Sequence, residues 1–340
     1  MPLVTVLMPT YKGARYLAET IDSVLNQTFR DFEFLIINDC SPDDTDAVIA
    51  RYDDPRIRYV KNETNLGISG SSNKGFQLAD GKYIVRQDHD DIALPDKLRL
   101  QVEYMESHPE VGLCGTGFTC FGSKNKTVIY PEDDAEIKAL LLFKMPLAHQ
   151  TSIMRRQLFL EHNLTYDETF ASSNDRRLWI AAMDHMQFHN LPQPLLKYRM
   201  YKGMTSQTKR DRVLVEGRRL REILYQKLGY APTDKERDII NNYLMPGRAK
   251  IRSREVITAI KKILCDLVRA NHKSKVFNEQ AFENVCGEYW HKRCLNYAFF
   301  SRRNAEDLYR SSPLAQYRAR VTPANRFAFS LLNSLFFWRR

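Results

Sequence analysis

The first 120 residues predict an α/β fold, with a mostly parallel central sheet and helices on both of its faces. Short apolar runs typical of buried strands alternate there with segments whose apolar residues recur at helical spacing. Repeated β-α units of this length favour parallel strands, because a crossover helix returns the chain to the same edge of the sheet. Polar residues directly follow three of the apolar runs, at the strand ends where α/β sheets bind ligands.

The predicted strands and helices follow one another in a regular order. Residues 41–44 start a helix well, since they supply a hydroxyl cap, an early proline and acidic side chains near the positive end of the helix dipole. We expect strands at residues 3–8, 32–37, 57–60, 83–86 and 111–121, helices at 14–26, 69–79 and 95–107, strand-like segments at 187–190 and 195–201, and a helical pattern from 211 onward.

Composition excludes several classes of protein. The chain has 340 residues, of which 43% are hydrophobic and 27% charged, with 14 Gly and 14 Pro, so it is neither disordered nor repetitive. No apolar run reaches the ~18 residues of a membrane-spanning helix, and the N-terminus has no basic leader. The six cysteines are widely spaced, which disfavours a thiolate metal site and a disulfide framework. We therefore expect a cytoplasmic protein.

The net charge of +10 is concentrated at one end of the chain. Residues 251–340 contain 17 Lys and Arg but only 7 Asp and Glu, whereas the first 250 residues are balanced. This change of charge, together with the helical pattern, predicts a separate basic C-terminal region.

Residues 88–91, Asp-His-Asp-Asp, are the sharpest motif. Three carboxylates within four residues repel one another unless a positive charge lies among them. Such oxygen ligands suit a hard divalent cation that also binds phosphate oxygens. The alternative is a solvated acidic turn, but the position of the motif at a strand end favours the cation. The Gly-rich stretch at 67–75 matches neither a dinucleotide fingerprint nor a P-loop.

Asp175 opens a predicted helix and has two interpretations. It is either a simple helix cap or a general base that faces the acidic motif across a cleft.

Several motifs occur together in order, and through them the chain resembles family 2 glycosyltransferases over residues 3–205. Within that family it is most similar to bacterial enzymes that extend lipooligosaccharide (lipopolysaccharide), O-antigen or capsule chains. The matching motifs are residues 4–11, 23–28, 36–41, 65–67, 73–75, 83–84, 88–92 and 149–152, Asp175 with Leu178 and Trp179, and Tyr198 with Arg199.

The resemblance implies a GT-A fold and a domain organisation. Residues 1–210 would form the catalytic domain, with a nucleotide-sugar-binding half at 1–100 and an acceptor half at 101–210. Residues 211–340 would form the helical basic region. The implied reaction is an inverting transfer from a nucleotide-diphosphate sugar, UDP-GlcNAc or UDP-Gal, to a hydroxyl of a growing bacterial surface glycan.

The resemblance also implies roles for individual residues. A nucleotide-binding set would comprise Pro9, Thr10, Tyr11, Asp39, Asn65, Asp88 and Arg199. Asp90, with Asp88, would bind Mn²⁺ or Mg²⁺, and Asp175 would deprotonate the acceptor. Trp179 and His149 would line the sugar and acceptor pocket, although a purely structural, hydrogen-bonded His149 remains the alternative. Tyr201 stands where relatives often have a metal-binding His, so Arg199 or Lys202 would offset phosphate charge.

The C-terminal segment at 326–340 predicts an interfacial helix. It has a narrow polar stripe on an otherwise apolar surface and flanking arginines that suit anionic lipid. We expect peripheral attachment to the inner face of the cytoplasmic membrane, where a lipid-linked acceptor would lie. Packing on the catalytic domain, or on a second subunit of a homo-oligomer, is the alternative.

Two other functions compete with the transferase. A basic, aromatic C-terminal region could bind nucleic acid. The carboxylate-rich strand ends would repel a polyanion, however, so we expect no nucleic-acid partner. A catalytically inactive GT-A scaffold is the other alternative, and the presence of Asp88, Asp90 and Asp175 argues against it.

Overall fold

In the computed structural model, which describes residues 1–201, 210–245 and 249–317, the chain divides into two compact units. The first unit comprises residues 1–137 and 145–220, and the second comprises residues 138–144 and 221–340.

The first unit contains a nine-stranded sheet. Its strands are β1 Val4–Thr10, β2 Phe32–Asn38, β3 Ile57–Lys61, β4 Tyr83–Arg86, β5 Ile92–Ala93, β6 Val111–Gly122, β7 Lys126–Val128, β8 Ile153–Arg155 and β9 Gln187–Met200. Their order across the sheet is β3-β2-β1-β4-β8-β6-β9-β5, and β7 pairs with β6.

The helices lie mostly where the periodicity predicts them. They are α1 Leu17–Leu25, α2 Thr45–Ile49, α3 Gly67–Leu78, α4 Lys97–Ser107, α5 Asp134–Leu140, α6 Arg156–Glu161, α7 Asn174–Ala182, α8 Arg210–Leu228, α9 Asp234–Ile239, α10 Arg254–Ser274, α11 Glu279–Ala298 and α12 Arg302–Arg310, with a π-helical turn at Ile240–Leu244. None of the helices in the described ranges combines the length and hydropathy needed to span a bilayer.

The predicted α/β fold class is confirmed. The strands β3, β2, β1 and β4 are all parallel, as the β-α repeat requires. Beyond β4 the pairing is mixed: β8 runs antiparallel to β4 and β6, whereas β9 runs parallel to β6. The hairpin β6-β7 turns over residues 123–125, and so short a connection permits only antiparallel pairing.

The core of the first unit is built from the continuous apolar runs of its central strands. In β1 every residue is buried, and in β2 all but Glu33 are buried. Runs of this kind belong to strands that are covered on both faces. From α1, Leu17, Ile21 and Val24 pack into the same core cluster. Each large apolar side chain buried in this way contributes about 1.5–3 kcal/mol to folding.

The carboxyl ends of the parallel strands meet at one edge of the sheet, as the sequence predicts. Thr10 at the end of β1 is in register with Asn38 at the end of β2. The N–H of Asp39, the next residue, donates to the carbonyl of Thr10 at 2.9 Å. The turn after β4 therefore begins beside the ends of β1 and β2, and it carries residues 88–91.

The second unit is helical in its described residues. Ser253 caps α10 by accepting the N–H of Glu255, and α10 buries an apolar stripe that includes Ile257, Ile260 and Leu264. Phe143 stacks on Tyr289 of α11 at 4.2 Å between ring centroids. The predicted interfacial helix at 326–340 lies outside the described residues.

Candidate active site

Asp39, predicted to contact the nucleoside, is held tightly at the end of β2. Its Oδ1 accepts hydrogen bonds from the Asn62 amide and the N–H of Leu66, both at 2.8 Å. Its Oδ2 accepts the N–H of Gly67 at 2.9 Å. Since Leu66 and Gly67 begin α3, the carboxylate lies at the positive end of a helix dipole. Asp39 therefore fixes the start of α3, and Oδ2 retains an acceptor position for a ligand.

Pro9, Thr10, Tyr11 and Asn65 lie at the same edge of the sheet. The Thr10 hydroxyl is buried, and it has no hydrogen-bond partner in the part of the chain that the structure describes. Tyr11 follows the end of β1 and is 41% exposed. The exposed Asn65 donates its amide to the carbonyl of Asp39 at 3.0 Å. The residues predicted to bind the nucleotide therefore lie at this edge of the sheet, except for Asp88 in the turn after β4 and Arg199 at the end of β9.

Arg86 lies beneath the acidic turn and is only 1% exposed. Its Nη2 forms a 2.9 Å ion pair with Asp88 Oδ1, and its Nη1 donates to the carbonyls of Leu7 and Gln87. Burial acts to raise the pKa of Asp88, but the Arg86 charge and the other positive groups around it lower that pKa overall. This buried cation favours an ionised Asp88.

Asp90 and Asp91 have different surroundings in the same turn. Asp91 is fully buried, and burial with the charges of Asp88 and Asp90 raises its pKa well above the ordinary value. Its Oδ1 accepts the N–H of Arg199 at 2.9 Å, so Asp91 links the turn to the end of β9. Burial and Asp88 also raise the pKa of Asp90, whose Oδ2 accepts the Tyr201 hydroxyl at 3.0 Å.

The donor set at this turn fits a hard divalent cation. Mg²⁺ is commonly held by one or two carboxylates together with substrate phosphates and water. Asp88 and Asp90 supply two carboxylates whose mutual repulsion a cation would relieve. Within residues 1–201, 210–245 and 249–317, no three His, Cys, Asp or Glu side chains are grouped as metal ligands. Water or the donor phosphates would therefore complete the coordination of a cation held by the two carboxylates.

Asp175 lies in the first turn of α7. Burial, with a smaller contribution from the charge of Asp88, raises the pKa of Asp175 to about 6, although the hydrogen bond from the Arg176 N–H acts to lower it. Asp175 and Asp88 both also act on the buried Tyr166 hydroxyl, whose pKa is raised chiefly by burial. The two carboxylates therefore lie within electrostatic range of each other and of Tyr166.

His149 and Trp179 lie side by side in this region. The Nε2 of His149 is 2.7 Å from the Tyr166 hydroxyl, and its ring meets the Trp179 ring edge-on at 6.1 Å between centroids. Burial, with the nearby Arg86 charge, lowers the pKa of His149 to about 3, so the ring is neutral. The Trp179 side chain is 1% exposed, and its indole N–H has no partner among the described residues.

Arg199 is engaged with protein groups. Its Nε donates to the carbonyl of Asp90 and its Nη2 to Glu19, each at 2.8 Å. The guanidinium lies between the rings of Tyr16 and Phe121. Lys202, the other predicted cation, lies outside the described residues.

Three residues of this region escape the sequence interpretation: Arg86, Tyr130 and Tyr166. Arg86 gave a signal, because a charged residue ends an otherwise apolar strand. Burial and the neighbouring Asp175 raise the pKa of Tyr130 to about 12, but Tyr130 and Tyr166 both lie in irregular segments without a motif. Only the folded chain brings them to the site.

The chain is similar in sequence to known proteins. The chain is 37% identical over 209 residues to an uncharacterized glycosyltransferase of Methanocaldococcus jannaschii, covering 58% of this chain and 71% of the relative. It is 31% identical over 218 residues to one of Haemophilus influenzae, covering 60% and 68%.

Solved structures share the fold at low sequence identity. S. aureus TarS in complex with UDP-GlcNAc superimposes with a TM-score of 0.58 at 18% identity, covering 90% of this chain and 91% of TarS. The mannosyltransferase PcManGT of Pyrobaculum calidifontis, in complex with GDP-Man and Mn²⁺, gives 0.52 at 15% identity, covering 100% and 88%. The family model described as Glycosyl transferase family 2 matches residues 5–164. The chain thus belongs to glycosyltransferase family 2 and has the GT-A fold.

Proposed function

We propose that the chain transfers a sugar, with inversion, from a nucleotide-diphosphate donor to a hydroxyl of a growing bacterial surface glycan. The observation that carries this proposal is the relationship of Asp175 to the acidic turn. Its pKa is raised to about 6, chiefly by burial and in part by Asp88, so a basic carboxylate lies within electrostatic range of the turn whose carboxylates suit a diphosphate-bound cation. A lipopolysaccharide or capsule chain is the acceptor we favour.

Asp175 is the proposed base. At neutral pH a carboxyl with a pKa near 6 is mostly ionised and still basic enough to accept a proton. The acceptor oxygen attacks the anomeric carbon while the bond from that carbon to the diphosphate oxygen breaks. The hydroxyl proton passes to Asp175, and the bonding pair stays with the departing diphosphate. A single displacement of this kind inverts the anomeric centre, and a positioned base typically contributes ~10²–10⁴-fold to the rate.

The nucleotide would bind at the strand edge formed by Pro9, Thr10, Tyr11, Asp39 and Asn65. The unpartnered Thr10 hydroxyl and the remaining acceptor position on Asp39 support this assignment. The complexes of TarS with UDP-GlcNAc and UDP favour a UDP-sugar, with UDP-GlcNAc or UDP-Gal as first candidates. The GDP-Man complex of PcManGT makes GDP-Man the competing donor.

Asp88 and Asp90 would hold Mn²⁺ or Mg²⁺ together with the diphosphate. When bound, the cation would supply positive charge that stabilises the leaving nucleoside diphosphate. Arg86 favours an ionised Asp88, and the Tyr201 hydroxyl orients Asp90. The Mn²⁺ in the PcManGT complex supports a divalent cation here.

His149, Tyr166 and Trp179 would form one wall of the sugar and acceptor pocket. Because the His149 ring is neutral and already bonded to Tyr166, it would position groups rather than transfer protons. The indole N–H of Trp179 has no partner among the described residues but is buried, so Trp179 would shape this wall from within the protein.

The basic C-terminal region would bring the enzyme to the inner face of the cytoplasmic membrane and so to a lipid-linked acceptor. Residues 251–340 contain 17 basic and 7 acidic residues, which supports this placement. Each basic side chain near an anionic membrane surface adds about 1 kcal/mol to the free energy of membrane binding. Assembly into a homo-oligomer through the same region is the competing use.

A nucleotide-sugar panel tests the proposal. The full chain is incubated with Mn²⁺, a bacterial lipopolysaccharide or capsule acceptor, and UDP-GlcNAc, UDP-Gal or GDP-Man, and nucleoside diphosphate release is measured. We expect release from one donor class by the wild type and its loss in Asp175→Asn, while Asp53→Asn, an exposed carboxylate, keeps wild-type rates. Undiminished release by Asp175→Asn would refute the assigned base, and no release from any donor would refute the proposed reaction.

A further inference from the structure

The end of β9 runs alongside the acidic turn, and two of its residues hold that turn. We infer that Arg199 is a positioning residue that fixes the Asp90-Asp91 turn for cation binding, and not a ligand of the donor diphosphate. This inference rests on the proposed function, because it assigns a task to Asp90 in that reaction.

Arg199 binds two consecutive residues of the turn. Its main-chain N–H donates to Asp91 Oδ1 at 2.9 Å, and its side-chain Nε donates to the carbonyl of Asp90 at 2.8 Å. One contact secures a buried carboxyl and the other secures the main chain, so together they restrict rotation of the peptide that carries the Asp90 side chain. Because Arg199 lies at the end of a strand of the central sheet, the turn is tied to a rigid element.

The guanidinium has little freedom to leave this position. It lies 4.3 Å from the ring centroid of Tyr16 and 4.6 Å from that of Phe121, and its Nη2 donates to Glu19. An arginine binds a phosphate most strongly through two parallel N–H groups. The Nε and Nη2 edge of Arg199 is already occupied by Asp90 and Glu19, so this edge cannot serve a diphosphate without breaking both contacts.

Tyr201 completes the arrangement from the same strand end. Its hydroxyl donates to Asp90 Oδ2 at 3.0 Å, and its ring packs on Tyr16 at 5.2 Å between centroids. Arg199 therefore holds the main chain of Asp90 while Tyr201 orients its carboxylate. Outer contacts of this type set the orientation of metal ligands, and their loss typically weakens metal binding ~10–100-fold.

The test separates cation binding from nucleotide binding. Mn²⁺ alone is titrated into the full chain and the free ion is followed by electron paramagnetic resonance, while UDP is titrated calorimetrically without a divalent cation. We expect Arg199→Gln to weaken Mn²⁺ binding ~10–100-fold and to leave metal-free UDP binding unchanged. Arg199→Lys keeps the charge but lacks the planar fork, so it should restore little of the Mn²⁺ affinity.

Two further variants test whether a loss of Mn²⁺ binding arises from a general change in structure. Arg15→Gln removes an exposed guanidinium that stacks on the same Tyr16 ring, and it should leave Mn²⁺ binding unchanged. Tyr201→Phe deletes one hydroxyl and should weaken Mn²⁺ binding without affecting metal-free UDP. If Arg199→Gln keeps wild-type Mn²⁺ affinity, or if it loses metal-free UDP binding, the inference is overturned but the proposed cation site is not. Absence of Mn²⁺ binding by the wild type would overturn the proposed cation site and the inference with it.

Discussion

The charge of Asp88, in the turn after β4, raises the pKa of Asp175, in the first turn of α7. The two residues lie far apart in the sequence, and the fold brings them within electrostatic range. One belongs to the cluster that suits a diphosphate-bound cation, and the other has the basicity of a proton acceptor. Their coupling supports the single-displacement reaction proposed for this site.

The pH dependence of turnover should report Asp175. The base must be ionised to accept a proton, and burial has raised its pKa to about 6. Turnover with the preferred donor should therefore fall as pH drops through about 6 and reach a plateau above it. The profile of kcat between pH 5 and 8 measures this acidic limb, the range over which the rate falls. Asp175→Asn should be slower throughout and lack the limb near 6, and a limb that persists in this variant would assign it to another group.

Asp39→Asn should weaken both the fold and nucleotide binding. The carboxylate accepts three hydrogen bonds, two of them from the main chain at the start of α3, and an amide NH₂ in its place would face N–H donors. A lost hydrogen bond to a charged group costs about 1.5–3 kcal/mol, which a urea titration measures. UDP affinity should fall in parallel. The Asp53→Asn variant, at an exposed carboxylate, should retain wild-type stability.

Much of the fold could be predicted because β1, β2 and β4 are apolar runs between helical segments. Buried strands need such runs, so their positions are visible in the sequence. The mixed pairing beyond β4 could not be predicted in the same way. It depends on which strand edges meet after the chain has turned, and β9 joins two strand-like segments across Pro194 with register shifts against β6.

The candidate site was predictable where the motif and the strand end coincide, as at Asp39 and Asp88. Arg199 illustrates the limit. Its sequence context predicts a cation near phosphate, whereas its partners are Asp90, Asp91 and Glu19. Hydrogen bonds between residues more than a hundred positions apart leave no local pattern, and neither does the contact of His149 with Tyr166, which are 17 positions apart.

Tyr166→Phe should destabilise the first unit. The Tyr166 hydroxyl is 2.7 Å from the buried Nε2 of His149, and phenylalanine would leave that nitrogen without its partner. An unsatisfied buried polar group costs about 1–3 kcal/mol, measured here as the change in the free energy of unfolding. Tyr11→Phe, at an exposed ring, provides the control. Equal stabilities of the two variants would show that the contact contributes nothing.

Lys97 should give the protein an unusual rise in stability with pH. Its ammonium is buried beneath the acidic turn and donates to the carbonyls of Arg86 and Gln150, and burial lowers its pKa to about 7. The unfolded chain then binds more protons than the folded chain between about pH 7 and the ordinary lysine pKa near 10.4. Stability must therefore increase across this range, by up to about 1.4 kcal/mol per pH unit. Urea unfolding at pH 7, 8 and 9 should reveal this slope in the wild type and its loss in Lys97→Met. The exposed Lys273→Met, which removes a lysine from the second unit, should keep it. Parallel stability curves for the wild type and Lys97→Met would mean that Lys97 stays charged in the folded protein.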